Sequence, residues 1–221
     1  MHKKIIEKWY RKLGISSEYD REFYSILDSY DIDTSLCAEN YCESEPDGKK
    51  NLLYFLYFCE DLSRRYEEKG ISEDVLFKTL TDLTVWIHAD SKRAGTLSLY
   101  KLDWLKNHLS MKLFAIGIFK FHMRAAKIDI PSKGIKKGEN VMDIHIPSKV
   151  RLLTENCLES LDMAREFFER FFPEYEFRYF ACSSWLLDET LADLVRRGEV
   201  TLDAAAEVAN DPAALRTFCG R

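Results

Sequence analysis

Apolar side chains recur at helical spacing through the first half of the chain. One such stripe consists of Ile5, Ile6, Trp9, Tyr10 and Leu13. Gly14 follows it directly and favours a helix end. The same reasoning predicts five helices: residues 3–13, about 17–29, about 50–69, a fourth that begins at a Ser72 cap, and 102–109. We therefore expect residues 1–109 to form a helical bundle with these stripes as its core.

The pattern changes after Ser110. Residues 113–122 are apolar at nearly every position, which predicts a strand covered on both faces. We then expect a turn-rich loop over residues 129–140 and a second strand over 141–147. A helix capped by Thr154 should follow over 154–172, and a third strand over 177–185. From Leu191 an Ala-rich tail predicts two or three short helices.

Strand alternation sorts the side chains of the second strand onto two faces. Asp143 and His145 lie on one face with Val141, opposite Met142 and Ile144. A carboxylate two residues from a histidine can orient the imidazole and favour its charged form. His145 is therefore the candidate general base. The simpler alternative is a histidine that only hydrogen-bonds at the edge of the core.

Composition narrows the class of protein. The net charge of −5 and the 46% hydrophobic content indicate a folded chain without a nucleic-acid groove or an attraction to anionic membranes. The N-terminus lacks the apolar segment of a secretory signal, and no apolar stretch predicts a membrane span. Six scattered cysteines without C-x-x-C spacing are typical of free thiols in a reducing compartment. We expect a cytoplasmic protein without a metal site.

Several phrases between about residues 70 and 190 resemble those of a known family, in the same order. They include Thr79-Leu80-Thr81-Asp82-Leu83, Leu102-Asp103-Trp104-Leu105-Lys106-Asn107-His108-Leu109, Leu113-Phe114-Ala115-Ile116-Gly117, His145-Ile146-Pro147 and Phe180-Ala181-Cys182-Ser183-Ser184-Trp185. The family comprises acyltransferase-domain proteins that combine a helical N-terminal domain with a GNAT-like C-terminal domain. Two departures stand out: the family has Gly after His-Ile-Pro where this chain has Ser148-Lys149, and residues 191–221 form a divergent helical tail.

The resemblance implies an α+β fold. A helical bundle over residues 1–109 would precede a small GNAT-like mixed sheet with packed helices over 110–221. It leaves open whether the C-terminal sheet is truncated.

The resemblance also implies acyl-CoA or acetyl-CoA as co-substrate, without a metal. In GNAT-like folds the phosphates bind at a strand-to-helix turn, where a helix N-terminus favours anions. The matching loop here carries Ser148, Lys149 and Arg151, which could add a hydroxyl and two cations to the phosphate-binding site. The alternative is a surface loop with solvated cations.

Two residues of the third strand are candidates for proton donation to the CoA sulfur. Cys182 and Ser184 share a face with Phe180 and would face the sulfur if the second and third strands diverge. An acyl-cysteine at Cys182 would need a lowered thiol pKa. The alternative is a cysteine that packs as a small hydrophobe. In the helical half, His88 and His108 each lie near a Trp, and could line a cleft or make ordinary interhelical hydrogen bonds.

The leading function is an acyl-CoA-dependent N-acyltransferase acting on a small-molecule or amine acceptor. The alternatives are a catalytically inactive GNAT-like module that binds a ligand or protein, and a structural helical adaptor. The sequence predicts no nucleic-acid or membrane partner and does not address the oligomeric state.

Overall fold

The computed structural model describes residues 2–38, 41, 47–147 and 150–182. Within them, the α-helices are His2–Lys12 (α1), Asp20–Ser29 (α2), Gly48–Lys69 (α3), Glu73–Ala94 (α4), Leu102–Leu109 (α5) and Thr154–Phe171 (α6). Short 3-10 helices span Ser17–Tyr19 and Pro131–Lys133. The strands are Leu113–Ile116 (β1), Phe119–Ala125 (β2), Asn140–His145 (β3) and Phe180–Cys182 (β4). The chain is thus an α+β protein in which helices precede a mixed sheet, as predicted.

The predicted helix ends are correct where glycine or serine sets them. Gly70 adopts a left-handed conformation after α3, and the Ser72 hydroxyl accepts a hydrogen bond from the Val75 amide at the start of α4. Ser16 caps the 3-10 turn that runs directly into α2. One capping prediction is wrong: Leu153, not Thr154, occupies the cap position of α6, and it makes no side-chain hydrogen bond there.

The prediction of one strand over residues 113–122 is wrong, because the chain reverses at Gly117 and Ile118. Gly117 has a φ of +59°, and a Cβ there would lie 2.0 Å from Ser160 Oγ on α6. The same hydroxyl accepts the Ile118 amide at 2.7 Å. Glycine is therefore required both by the backbone and by the close approach of α6. The result is a hairpin, β1–β2, docked on α6.

The sheet has the order β1-β2-β3-β4, antiparallel except for the parallel pair β3–β4. One face packs on α6, where Phe114 contacts Phe167 and Phe168. β1 is buried on both sides, and its Ala115 amide donates to the Thr79 hydroxyl of α4 at 2.9 Å. Helices and sheet thus share one hydrophobic core.

Some predictions concern residues outside the described part. β4 is described as far as Cys182, and the tail 191–221 lies beyond it. The division at residues 109 and 110 stays a prediction. The described cysteines Cys37, Cys59, Cys157 and Cys182 are not disulfide-bonded. Among the residues that the structure describes, no helix is both long and apolar enough to cross a bilayer.

Candidate functional site

The two central strands place their polar side chains on one face of the sheet. β2 contributes Lys120, His122 and Arg124 at every second position, and β3 contributes Asp143 and His145. In the register, His122 lies opposite Asp143 and Lys120 lies opposite His145. The side chains between them, such as Phe121 and Met142, enter the core on the other face. The hairpin missed by the sequence analysis therefore supplies three of the five side chains of this cluster.

Asp143 lies at the centre of the cluster. It is 5% exposed, and its Oδ2 lies 2.7 Å from Arg124 Nε and 3.3 Å from His145 Nε2. Burial alone would raise the pKa of the Asp143 carboxyl, but the contacts with His145 and Arg124 outweigh it and hold the pKa below its usual value. Asp143 and His145 share one face, as the alternation predicted. The negative charge of Asp143 can stabilise a protonated His145.

His122 was not identified from the sequence. Its ring centroid lies 5.8 Å from that of His145. Burial, followed by the neighbouring His145, lowers the pKa of His122 to about 4, so this imidazole is neutral at neutral pH. The signal that could have identified it is the alternation of polar residues after Gly117.

His122, Asp143 and His145 offer ligand atoms within 4.8 Å of one another and could hold a metal ion by spacing. Arg124, however, already pairs with the Asp143 carboxylate, and the Lys120 ammonium opposite His145 is paired with Asp82. This charge balance favours proton transfer over a divalent cation.

Trp104 on α5 covers the histidines. Its ring meets the His145 ring edge-on at a centroid distance of 4.6 Å and the His122 ring at 6.1 Å. The indole N–H donates to Asp82 Oδ2 on α4 at 3.0 Å. The helical half therefore closes one side of the cluster.

Asp82 makes polar contacts with three side chains, the first of which is Trp104. Its Oδ2 also lies 3.1 Å from His108 Nε2, and its Oδ1 accepts a hydrogen bond from Lys120 Nζ. Burial would raise the pKa of the Asp82 carboxyl, but the His108 and Lys120 contacts hold it well below its usual range. Asp82 is therefore ionised at neutral pH. It joins α4, α5 and β2.

A groove of about 580 Å³ opens beside Asp82. It is lined by Lys78, Thr81, Asp82, Val85, Ala115, Gly117, Ile118, Phe119, Lys120, Pro147, Val150, Arg151 and Asn156. Its lining includes Pro147 just beyond β3, the following loop and the first turn of α6, which is the corner predicted to bind phosphates. Arg151 lies on this wall, whereas Ser148 and Lys149 lie outside the described residues. Among the residues that the structure describes, the groove combines apolar side chains with Lys78, Lys120, Arg151 and the Asp82 carboxylate.

The structure does not bring Cys182 together with His145. Cys182 lies opposite Ile144 in the parallel β3–β4 register, so it shares the face of Ile144 rather than that of His145. Burial, with Asp143 as a second cause, raises the pKa of the Cys182 thiol. This is the reverse of the shift that an acyl-cysteine needs. Ser184 lies beyond the described residues.

The strands β3 and β4 pair over three residues, Met142 to Ile144. His145 lies one position beyond the last described pair. The predicted divergence of the two strands after this point involves residues past 182 and stays a prediction.

His88 and His108 do not face each other. His88 Nδ1 lies 3.2 Å from the Tyr19 hydroxyl, and His108 is buried against Asp82. Both make hydrogen bonds between elements, which was the simpler of the two interpretations. His108 enters the site only through Asp82.

Comparison with known proteins identifies the family. A model of the N-acyltransferase N-terminal domain matches residues 16–111, and a model of the GNAT-like C-terminal domain matches residues 113–199. A comparison with curated proteins finds no significant match.

Solved acyltransferases share the fold. One, in complex with decanoyl-CoA, is 29% identical over 64% of this chain and 42% of its own, with a TM-score of 0.54. A second, in complex with CoA and 10C-teicoplanin, is 27% identical over 72% of this chain and 46% of its own, with a TM-score of 0.56. A third, with decanoyl-CoA and teicoplanin, is 22% identical over 92% of this chain and 67% of its own, at a TM-score of 0.62, a likeness of fold alone. The chain spans less than half the length of the first two. It belongs to the acyltransferase-domain proteins in which an N-acyltransferase N-terminal domain is followed by a GNAT-like C-terminal domain.

Proposed function

We propose that the protein is an acyl-CoA-dependent N-acyltransferase that modifies an amine on a small-molecule acceptor, with His145 as general base. The observation that carries the proposal is the Asp143–His145 pair at the end of β3, close to a groove lined by the turn that follows the strand. The His145 side chain is 33% exposed, so a substrate amine can reach it. A buried structural histidine would not be accessible in this way.

The groove is the proposed donor site. Lys78 and Arg151 supply positive charge for the phosphates of CoA, and Ser148 and Lys149 are proposed to join them, whereas the charge of Lys120 is already paired with Asp82. Val85 and Ile118 belong to the apolar lining, which suits an acyl chain. The 29% identical acyltransferase was solved with decanoyl-CoA, which supports a medium-length chain as the donor.

The chemistry follows from these positions. The acceptor amine attacks the thioester carbonyl carbon, an amide bond forms, and the carbon–sulfur bond breaks. His145 takes the proton that the amine loses, and Asp143 stabilises the resulting imidazolium. Since Nε2 faces Asp143, we assign Nδ1 as the proton acceptor. The CoA sulfur leaves as the thiolate and takes a proton from water; Cys182 lies on the other face of the sheet, so we do not assign this step to it.

Binding and turnover test the proposal separately. Thermal unfolding would be measured with free CoA, acetyl-CoA, octanoyl-CoA and decanoyl-CoA. A ligand at a hundredfold excess over its Kd stabilises the protein by about 2.7 kcal/mol. Release of the CoA thiol would then be followed with a panel of amines. No stabilisation by any of these ligands contradicts the proposal. Stabilisation without thiol release would instead support the inactive ligand-binding module.

The loop cations can be tested in the same assay. Lys149→Ala with Arg151→Ala should weaken CoA binding by about tenfold or more, since a hydrogen bond to a charged group contributes about 1.5–3 kcal/mol. The matched control is Lys127→Ala, an exposed cation outside the groove. Equal affinities of the double variant and the control would place the phosphates elsewhere.

A further inference from the structure

We propose that Asp82 is a positioning residue: by accepting the indole N–H of Trp104, it holds that ring against the imidazole of His145. The kinetic part of this inference rests on the proposed function, whereas the geometric part does not. Asp82 touches neither His145 nor the scissile bond, and acts through another side chain.

The geometry forms a continuous chain of contacts across the two halves of the protein. Asp82 Oδ2 accepts the Trp104 N–H at 3.0 Å, and the ring of Trp104 meets that of His145 at a centroid distance of 4.6 Å. The two rings are inclined at 74° to each other. In such an edge-on contact, rotation of the indole would open space beside His145. The hydrogen bond to Asp82 fixes that rotation.

Asp82 is itself held from two further directions. His108 is fully buried and reaches Oδ2 at 3.1 Å, while Lys120 is 6% exposed and donates to Oδ1. An aspartate fixed by three donors from two other elements has little freedom to move. This rigidity suits a group that orients a neighbour, because a misplacement of about 1 Å can cost about a hundredfold in rate.

A loss of activity through a misplaced Trp104 must be distinguished from a loss through unfolding. Deleting Asp82 alone would leave the Lys120 ammonium buried without a counter-charge, so a loss of activity could follow simply from unfolding. Two double variants avoid this, since both also carry Lys120→Met. Asp82→Asn with Lys120→Met keeps a side-chain oxygen for the indole N–H. Asp82→Leu with Lys120→Met has a similar volume but no acceptor.

Kinetics provide the first measurement. We expect kcat for thiol release to be at least tenfold lower in the Leu variant than in the Asn variant, with KM for the acyl-CoA donor within about threefold between them. Equal kcat in two folded variants overturns the proposal. A difference in KM alone also overturns it, because it would assign Asp82 to donor binding.

NMR provides a readout that needs no activity. The indole N–H of Trp104, one of four tryptophans, is assigned with Trp104→Phe, and the ring signals of His145 with His145→Gln. We expect both sets of signals to move between the Leu and Asn variants. If the His145 signals are the same in the Leu and Asn variants, the geometric part of the inference is wrong. A wild-type protein without acyl transfer would contradict the proposed function, and the His145 signals alone would then decide this inference.

Discussion

Two carboxylates lie on either side of Trp104, and their surroundings differ. Asp82, on the helical side, has donors on both oxygens: Trp104 and His108 on Oδ2, and Lys120 on Oδ1. Asp143, on the sheet side, directs Oδ2 to Arg124 and His145, while its buried Oδ1 has no hydrogen-bond partner among the described residues. Both carboxyls have a lowered pKa, and both oppose a cation of β2.

The difference indicates two roles for similar chemistry. A carboxylate that accepts hydrogen bonds on both oxygens holds its donors in place, because moving any of them leaves a buried group unpaired. A carboxylate with spare acceptor capacity can stabilise a charge that appears during a reaction. We therefore assign rigidity to Asp82 and proton-transfer support to Asp143.

The largest effect is expected on the Asp143 side. His145→Ala should lower turnover by about 10²–10⁴-fold, the contribution of a positioned general base, while donor affinity stays near that of the wild type. Thiol release and calorimetric titration with decanoyl-CoA measure the two quantities.

The matched control is His88→Ala. His88 lies on α4, is hydrogen-bonded to Tyr19 and is not one of the side chains of the cluster. Turnover of His145→Ala equal to that of the control would refute the base assignment.

The next largest effect is expected on the Asp82 side and is a loss of folding stability. Asp82→Ala leaves the Lys120 ammonium, 6% exposed, without its counter-charge. Breaking a buried pair from one side costs about 3–5 kcal/mol. Urea denaturation of the wild type and the variant measures this loss of the free energy of unfolding.

Glu68→Ala is the comparison for that measurement, because it breaks the exposed Arg64–Glu68 pair. Exposed pairs contribute about 0–1 kcal/mol. If both variants lose the same stability, Asp82 is not the structural centre that its contacts indicate.

The two carboxylates also differ in how far the sequence could predict them. Asp143 and His145 are two residues apart on one strand, so alternation alone places them on one face. Asp82 meets Trp104 and Lys120 only after α4, α5 and β2 pack together, and no local spacing encodes that contact.

The hairpin shows the same limit. A nearly continuous apolar run from 113 to 122 predicts one strand, and the reversal at Gly117 depends on Ser160, more than forty residues away. The helices were predictable because their stripes and end residues are local.

The third prediction tests the turn that brings β2 to both carboxylates. Gly117→Ala meets two penalties: a left-handed φ of +59° and a Cβ 2.0 Å from Ser160 Oγ. Together they should cost about 2–5 kcal/mol. Gly134→Ala shares the left-handed φ, at +65°, but has nothing within 4 Å, so it should cost only about 1–2 kcal/mol. Chemical denaturation of both variants gives the difference, and equal losses would show that the contact with α6 does not constrain the turn.

The smallest effect is a pH dependence that arises beside Asp143. His122 has a pKa of about 4 in the folded protein, because burial and His145 disfavour its charge. In the unfolded chain its pKa is near about 6.5. Between these values the unfolded state binds more protons, so the free energy of unfolding falls as the pH is lowered from about 6.5 to about 4.

Because His122 is only partly buried, solvent screening reduces the loss to about 1–3 kcal/mol. The carboxylates Asp143 and Asp82 have lowered pKa values, so their contributions are lost at lower pH, below the ordinary aspartate pKa of about 3.9. His122→Asn should therefore flatten the stability curve between about pH 6.5 and 4.5, whereas His88→Asn should not. Parallel curves for His122→Asn and the wild type would mean that His122 takes up its proton in the folded state as readily as in the unfolded chain, so that on the Asp143 side of Trp104 the carboxylate offsets the effect of burial.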